Sequence, residues 1–399
     1  MILLIRNGKK NILLWRNNTL AINKIGNKEI LKKFFGDKEI IKEVINGNTI
    51  YEKITSNPIY GVSGLYDSSP SLTRTDDALN MSVVVNSSTG LVSSDFDNVF
   101  PWNEAVVETI SGNKFLHLPD MWFRIGKDSG NHITDVAVSK VQDETGDWYK
   151  VDNFYYGCYG GSLDSNDKLA SVSGVSRLAS KTRAEFRGYA SANGLGYSQL
   201  DLYHRTVMMF LWLIEFANKD SKNVMTGSHS RVNTGGTDSL STPSGYNKST
   251  YQMRWHYIED FIGNIMEFID GYVGDGVNGG TMYVNANPNY FGDTPSDLQN
   301  NYLNYNAPLS SLGQCLKAIG WDSNNPFLVM PIEVLQNTQY NTWLCGQANG
   351  TNAISLATGS ANNSYNDAGY GLTRYFKYAM TVANDYVSGR LIYNPAYTS

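Results

Sequence analysis

The sequence predicts an α+β protein whose N-terminal part is almost entirely β. Three observations support this prediction. Turn dipeptides recur at about ten-residue spacing near the N-terminus, alternating apolar and polar runs continue to about residue 165, and two helical patterns then follow. Strands first and helices later within one chain are typical of the α+β class.

The composition narrows the range of partners. Only 17% of the 399 residues are charged, the net charge is -5, and there are 26 tyrosines. Weak acidity without a Lys/Arg cluster argues against nucleic acid and against an anionic membrane surface. The longest apolar run, 207–214, is far too short to span a bilayer, so we expect no membrane insertion. Tyrosine offers a large rigid contact face with a polar tip, which suits binding surfaces.

The cysteines and the N-terminus indicate where the protein is made. Cys158, Cys315 and Cys345 are odd in number and far apart along the chain. This pattern favours assembly in a reducing cytoplasm over a disulfide framework. Arg6 and Lys9 follow the first apolar residues too closely for a secretory signal, so no export signal is expected.

Residues 1–55 are predicted to form an N-terminal β-repeat module. Short apolar strands alternate there with the turn dipeptides Asn7-Gly8, Asn17-Asn18, Gly26-Asn27, Gly36-Asp37 and Gly47-Asn48. Strands this short bury little apolar surface alone, so we expect the module to trimerise or to attach the chain to a larger assembly. The alternative is a local meander that belongs to the next domain.

Residues 56–165 are predicted to be an intermediate domain resembling a β-sandwich. Asn57-Pro58 marks its start, and alternating runs at 81–85, 132–141 and 148–157 are separated by polar turns. The adjacent acids Asp76 and Asp77 lie in a Thr-rich turn. We interpret them as turn and cap residues rather than as metal ligands.

Residues 166–399 form the third predicted segment, and it contains the helices. Thr182 and Glu185 make a capping box, and Asn193-Gly194 provides a stop signal. A second helix is predicted from about Gln199 to Asn218. It is apolar on nearly every face and should therefore be buried against a sheet.

The stretch 251–272 raises the question of catalysis because it combines His256 with Glu259, Asp260, Glu267 and Asp270. A helical wheel places the acids on one face, which alone indicates an amphipathic helix with a solvated acidic side. Gly263-Asn264 in the middle instead favours a break followed by a strand. Neither geometry presents a catalytic carboxylate pair in a cleft, so no catalytic residue is predicted.

The chain carries no sequence signature of a cofactor or metal site. Phosphate-binding loops, dinucleotide fingerprints and the common hydrolase motifs are absent, and the five histidines lack metal-ligand spacing. The oxygen-rich loop 270–278 lacks the spacing of a calcium loop, and a solvated turn is the preferred interpretation. We therefore predict neither a cofactor nor a metal.

Several segments, taken in order, resemble the C-type-lectin-like tail proteins of phages, the family of the major tropism determinant, whose fold is shared with the formylglycine-generating enzyme. The segments are LTRTDDA (72–78), GNKFLHLP (112–119), FRGYASANGLGYSQLDLY (186–203), MMFLWLIEFANKDSKN (208–223), WHYIEDFIGNIMEFIDGY (255–272) and VSGRLIY (387–393). The resemblance implies a C-type-lectin-like domain over 166–399, preceded by the two β modules, and assembly as a homotrimer. It also favours a turn leading into a core strand at 258–271.

The resemblance further implies a ligand face just before the closing segment at 387–393. The residues that fall where the family displays its contact residues are Asn362, Asn363, Tyr365, Asn366, Tyr370, Leu372, Arg374 and Tyr375. Ala361 stands where an aromatic residue is usual. The calcium-binding motifs of sugar-binding C-type lectins are absent, so calcium-dependent carbohydrate binding is not implied.

The expected function is that of a receptor-binding protein or adhesin on a phage virion, at the tail. It would bind a host cell-surface receptor, either glycan or protein, and would contact other virion proteins through its N-terminal module after synthesis in the host cytoplasm. The alternatives are a structural decoration or head fibre without a receptor role and, with less support, a glycan-degrading tail enzyme. A formylglycine-generating activity would need a reactive cysteine pair, and Cys345 stands alone near the C-terminus.

Overall fold

The computed structural model describes residues 57–67, 69–143, 146–219, 221–225, 227–228, 231–275, 281–306, 314–322, 324–336, 344–346, 353–357, 374–379, 383 and 385–398, together with strands between residues 3 and 55. It describes the backbone alone for the strands before residue 56, for those at 344–346, 353–357 and 374–379, and for residues 222–223, 274–275, 314–318, 322, 330–331 and 334–336. The predicted contact residues 362–372 lie outside the described residues.

The described secondary structure is mainly β with a few helices, in agreement with the predicted α+β class. The helices are α1 (Arg183–Ser191), α2 (Leu202–Phe216), α3 (Ser221–Val224) and α4 (Pro295–Asn301), with short 3₁₀ turns at Asp95–Asn98, Pro288–Tyr290 and Pro395–Thr398. The strands up to residue 63 are β1 (Leu3–Asn7), β2 (Lys10–Trp15), β3 (Asn18–Thr19), β4 (Asn23–Ile25), β5 (Lys28–Phe35), β6 (Lys38–Ile45), β7 (Asn48–Thr55) and β8 (Ile59–Ser63).

The strands between residues 73 and 199 are β9 (Thr73–Asp76), β10 (Val83–Val85), β11 (Val92–Ser94), β12 (Val106–Ile110), β13 (Asn113–Leu118), β14 (Met121–Lys127), β15 (Ile133–Ser139), β16 (Trp148–Val151), β17 (Phe154–Gly157), β18 (Ser162–Leu163), β19 (Leu169–Ala170) and β20 (Tyr197–Gln199). Those that follow α2 are β21 (Gly245–Tyr246), β22 (Met253–Trp255), β23 (Ile258–Glu259), β24 (Met266–Asp275), β25 (Thr281–Val284), β26 (Leu303–Asn306), β27 (Gln314–Asp322), β28 (Asn325–Gln336), β29 (Leu344–Gly346), β30 (Ala353–Ala357), β31 (Arg374–Ala379), β32 (Val387–Ser388) and β33 (Leu391–Tyr393). Among the described residues, none of the helices is both long and apolar enough to cross a membrane.

The N-terminal strands form two antiparallel meanders, β1-β2-β3 and β4-β5-β6-β7. The register pairs Ile25 with Lys28, Phe35 with Lys38 and Ile45 with Asn48, so successive strand ends recur every ten residues. This confirms the predicted strand–turn repeat. Trimerisation or attachment through this module stays a prediction.

Two five-stranded sheets follow, ordered β16-β14-β15-β8-β9 and β12-β13-β17-β33-β20. The second sheet contains β33 from the C-terminal end of the chain, where Tyr393 pairs with both Tyr155 and Tyr197. Strands from both sides of the predicted boundary at 165/166 therefore share one sheet. The division into three domains stays a prediction.

Helix α2 lies in the main core, as its apolar sequence predicts. Its residues are buried from end to end apart from the half-buried Tyr203. Trp212 packs on Trp255 and Phe261, with ring centroids 5.3 and 5.6 Å away. The helix is shorter than predicted because the Asp201 side chain caps its start and Ala217, in the left-handed conformation, ends it.

The six-stranded sheet, ordered β26-β25-β24-β30-β31 with β32 alongside β24, positions the C-terminal site. β24 is its central strand and contains Glu267 and Asp270. The register pairs Glu267 with Ala357 at the end of β30, and Ala357 in turn with Arg374 at the start of β31. Residues 358–373 connect these two strands in sequence and are called the display segment below. Ala357 before them pairs with Glu267, and Arg374 after them lies one strand further away.

Candidate functional site

The predicted contact residues fall in and just after the display segment. Asn362, Asn363, Tyr365, Asn366, Tyr370 and Leu372 lie outside the described residues. Arg374 and Tyr375 are the first residues of β31, and their backbone pairs with Ala357 and Leu356 of β30. The two ends of the display segment are therefore brought together on neighbouring strands of one sheet.

An exposed cluster lies next to this point and was not singled out from the sequence. The backbone N–H of Met266, which neighbours Glu267, donates to the Tyr386 carbonyl at 3.0 Å. The Tyr386 side chain is 40% exposed, and the Arg231 guanidinium lies 4.3 Å from its ring centroid. Arg231 also pairs with Asp385 at 2.9 Å. Arg231, Asp385 and Tyr386 are called the rim cluster below, and they offer an aromatic face, a cation and an anion to a ligand.

The loop that carries Arg231 is held in place from two sides. On one side the Thr234 N–H donates to the Val175 carbonyl, the Thr234 carbonyl accepts from the Gly174 N–H, and the Thr234 hydroxyl accepts from the Val175 N–H. On the other side the Glu259 carboxylate accepts from the N–H of Gly235 at 2.8 Å, from the N–H of Thr237 at 2.9 Å and from the Thr237 hydroxyl at 2.8 Å. Glu259 is thus a support for the surface loop and does not itself face solvent.

Glu267 belongs to a buried ion-pair cluster. Arg390 donates to it from Nη2 at 2.7 Å and from Nε at 3.0 Å, and Arg177 donates to the same carboxylate. Burial alone would raise the pKa of Glu267, but the two guanidinium groups outweigh it and hold that pKa below its usual range. Arg390 also donates to the carbonyls of Gly157 and Glu259. Through Arg390, just before β33, the cluster therefore ties β24 to β17 and to β23.

Asp270 forms a second buried cluster, with helix α1. Arg187 donates to both carboxylate oxygens of Asp270, at 2.7 and 2.8 Å, and Arg183 lies 3.6 Å away. Both arginines also donate to Asp293. Arg183 and Arg187 stand one helical turn apart on the same face of α1, so the helix clamps β24 through two charges.

The His256 side chain lies in a third buried network. Its Nε2 is 2.8 Å from Glu215, and its Nδ1 is 3.7 Å from Asp97. Glu215 is fully buried and also accepts from the Ser94 hydroxyl at 2.8 Å and from Trp255 Nε1 at 2.7 Å. The Glu215 carboxylate therefore contacts three polar side chains inside the core.

One ligand atom from each of Asp97, Glu215 and His256 lies within 4.8 Å of the others. The two ring nitrogens of His256, however, face different carboxylates, whereas a single ion would bind one nitrogen and both carboxylates on the same side. The arrangement therefore consists of a hydrogen bond between His256 and Glu215, with Asp97 at a longer, ion-pair distance on the other side of the ring. The absence of a metal ligand set in this chain stays a prediction.

The turn before β24 has the predicted form. Gly263 and Asn264 adopt positive φ angles of 92° and 63° after the short strand β23. The Asn264 amide donates to Asp260 at 2.7 Å. The turn–strand interpretation of 258–271 is confirmed, and the acids of this stretch are buried network residues rather than a solvated face.

Comparisons with known proteins give only remote similarity. No family model and no curated protein matches this chain. Among solved structures the chain is similar to the "Major Tropism Determinant I1 Variant", with a TM-score of 0.28 and 11% identity over 94% of this chain and 83% of that chain. It is also similar to the "Major Tropism Determinant U1 Variant", with a TM-score of 0.29, 11% identity and the same coverage. Such values do not establish membership of that family.

Proposed function

We propose that this chain is a receptor-binding protein of a phage virion, which recognises a host cell-surface molecule through the display segment and the rim cluster. In this proposal the chain binds its target and does not catalyse a reaction. A C-type-lectin-like fold over 166–399 and a trimeric particle component belong to the same proposal. The sequence motifs quoted above support it, since they resemble those of phage tail proteins.

The observation that carries the proposal is where the display segment begins and ends. The residues that flank it, Ala357 and Arg374, are paired on neighbouring strands, and Ala357 also pairs with Glu267, whose carboxylate is buried between two guanidinium groups. A binding segment whose sequence varies needs a stable structural support, because substitutions at its contact residues must not unfold the protein. The buried ion-pair clusters of Glu267 and Asp270 provide such a support.

The chemistry of the exposed residues fits recognition of a polar surface molecule. The display segment is rich in Asn, Tyr, Gly and Ser, which make adaptable contacts at protein–ligand surfaces. The rim cluster adds an aromatic ring flanked by Arg231. Tyrosine rings stack on sugar or peptide groups, and asparagine amides exchange hydrogen bonds with hydroxyl or peptide groups. A trimer would present three such faces and raise avidity.

The test is a direct binding measurement on cells. Fluorescently labelled full-length protein is titrated onto bacteria that the source phage infects, and bound fluorescence is counted by flow cytometry. The protein is also added as a competitor in a phage adsorption assay. We expect saturable binding and a matching loss of adsorption.

A result that would overturn the proposal is equal labelling of susceptible and receptor-deficient cells, with no effect on adsorption. Gold labelling of the protein in intact particles separates this proposal from a purely structural role. A label on the head, combined with no cell binding, would favour a decoration protein.

A further inference from the structure

The two cysteines of the C-terminal region occupy facing positions in one sheet. β27 is the central strand of the sheet β28-β27-β29. Its register with β29 pairs Cys315 with Cys345, between the neighbouring pairs Gln314–Gly346 and Leu316–Leu344. Cysteines that are distant in sequence therefore become direct cross-strand neighbours.

The backbone geometry permits a covalent bond between them. Facing residues on antiparallel strands have Cα atoms about 4.5 or about 5.5 Å apart, depending on the hydrogen-bond pattern. Disulfides join residues whose Cα atoms are about 4.4–6.8 Å apart. Since both cross-strand distances fall inside this range, the strands need not move. We infer that Cys315 and Cys345 form an intramolecular disulfide once the protein meets an oxidising medium.

The third cysteine explains the odd count. Cys158 is 1% exposed and lies in the main core. Burial raises the pKa of its thiol to about 12. Because the thiolate is the reactive form, Cys158 stays reduced. Cys315 and Cys345 are then the two cysteines that can pair with each other.

The bond would join the core to the strands around the display segment. Next to β27, strand β28 is anchored by Phe327, whose ring packs 5.6 Å from Phe123 and 5.2 Å from Tyr203. On the other side, β29 lies beside β31, the strand that follows the display segment. A disulfide would therefore brace the display segment after the particle leaves a reducing cytoplasm, a consequence that rests on the proposed function.

The oxidation is a thiol–disulfide exchange with a small-molecule disulfide such as oxidised glutathione. One cysteine thiolate attacks the glutathione disulfide, forms a mixed disulfide and releases one glutathione. The second cysteine then attacks the protein sulfur of the mixed disulfide and releases the other glutathione. The two protein thiols lose two electrons, and their protons pass to the two released glutathione thiolates.

The test is thiol counting on the full-length protein. Protein equilibrated with reduced or with oxidised glutathione is quenched in acid, denatured, alkylated and weighed, then digested with chymotrypsin without reduction. After oxidation we expect a single alkyl group, on Cys158, where the reduced protein carries one on each cysteine. We also expect a mass about 2 Da below that of a fully reduced protein with one alkyl group, for the two lost hydrogens, and a linked peptide containing Cys315 and Cys345. The Cys315→Ser variant should give no linked peptide.

The inference is overturned if the oxidised protein still takes three alkyl groups, carries glutathione on both Cys315 and Cys345, or links either of them to Cys158. Since thiol counting needs no receptor, its outcome is independent of the proposed function. Cell binding by the oxidised and the reduced protein then tests the bracing role. Equal affinities would contradict that role.

Discussion

At the scale of single residues, Glu267 illustrates how a charged side chain supports a surface that it does not reach. Its carboxylate and the guanidinium groups of Arg177 and Arg390 are almost completely buried. Glu267→Gln leaves two buried cations without their counter-charge, and we expect a loss of about 3–5 kcal/mol in the free energy of unfolding. Urea unfolding monitored by tryptophan fluorescence measures this loss.

Glu108→Gln is the matched control, because the Glu108 side chain is 41% exposed and pairs with His117 at 3.0 Å. Exposed pairs contribute about 0–1 kcal/mol, so the control should unfold near the wild-type midpoint. Equal losses in the two variants would contradict the assigned role of Glu267.

Because the pKa of Glu259 is raised, we expect the free energy of unfolding to depend on pH in an unusual direction. Burial, and after it the neighbouring Asp260, raise the pKa of Glu259 from 4.5 to about 7. Between these values the folded chain binds more protons than the unfolded chain, so this contribution to stability falls as pH rises from about 4.5 to about 7. It is fully present below that window and lost above it.

The Glu259→Gln variant removes this titration. We expect the unfolding free energy of the variant to depend less on pH between about 5 and about 7 than that of the wild type. Some slope should remain because burial also raises the pKa of Asp260. Lowered pKa values, such as those of Glu215 and Glu267, act below this window. Identical slopes in the two proteins would show that Glu259 is not the titrating group.

The rim cluster gives a third prediction at this scale. Tyr386→Ala removes an exposed ring that Arg231 covers at 4.3 Å. If the cluster contacts the receptor, cell binding should weaken about 10-fold, which corresponds to about 1.4 kcal/mol. Tyr290→Ala, which changes a tyrosine that is 57% exposed, is the control and should bind normally. Normal binding by both variants would remove the rim cluster from the site.

At the scale of elements, helix α1 depends on its N-terminal capping box. Thr182 accepts from the N–H of Glu185, and Glu185 accepts from the N–H of Thr182 at 2.8 Å. The first helical residue, Arg183, is buried against Asp270 and Asp293, so fraying here would also expose that cluster. Thr182→Ala should cost about 1 kcal/mol of unfolding free energy, measured by urea unfolding.

Ser191→Ala, at the exposed C-terminal end of the same helix, is the control and should change stability by less than about 0.5 kcal/mol. A Thr182 variant as stable as this control would show that α1 needs no cap.

Local features of the chain were predictable from the sequence because they depend on neighbouring residues. Thr182 and Glu185 are three residues apart, Gly263-Asn264 forms its own turn, and the ten-residue strand repeat is visible in the turn dipeptides. The apolar sequence of α2 likewise indicated burial on every face.

Long-range partners were not predictable in this way. Glu267 and Asp270 gave no indication that their partners would be arginines from α1, at residue 177 and at residue 390, just before β33. The facing of Cys315 and Cys345 depends on strand register, which a single sequence leaves open. For the same reason Arg231 and Tyr386 could not be associated with the display segment before the sheet order was known.

At the scale of the whole molecule, the proposed function divides the chain into a supporting body and a binding surface. Buried ion pairs join helix α1, strand β24 and Arg390, just before β33, and β24 pairs with Ala357, the residue before the display segment. The division predicts that stability and binding respond to different residues. Substitutions in the body should unfold the protein, whereas substitutions in the display segment should abolish binding alone.

The measurement that tests this claim most directly is cell binding by one combined variant. It carries Ser or Ala at Asn362, Asn363, Tyr365, Asn366, Tyr370, Leu372, Arg374 and Tyr375, and its control carries Ser at the exposed Leu195 and Tyr290. We predict that the combined variant unfolds at the wild-type urea concentration and no longer binds cells, while the control binds normally. A folded combined variant that binds cells as the wild type does would contradict the account.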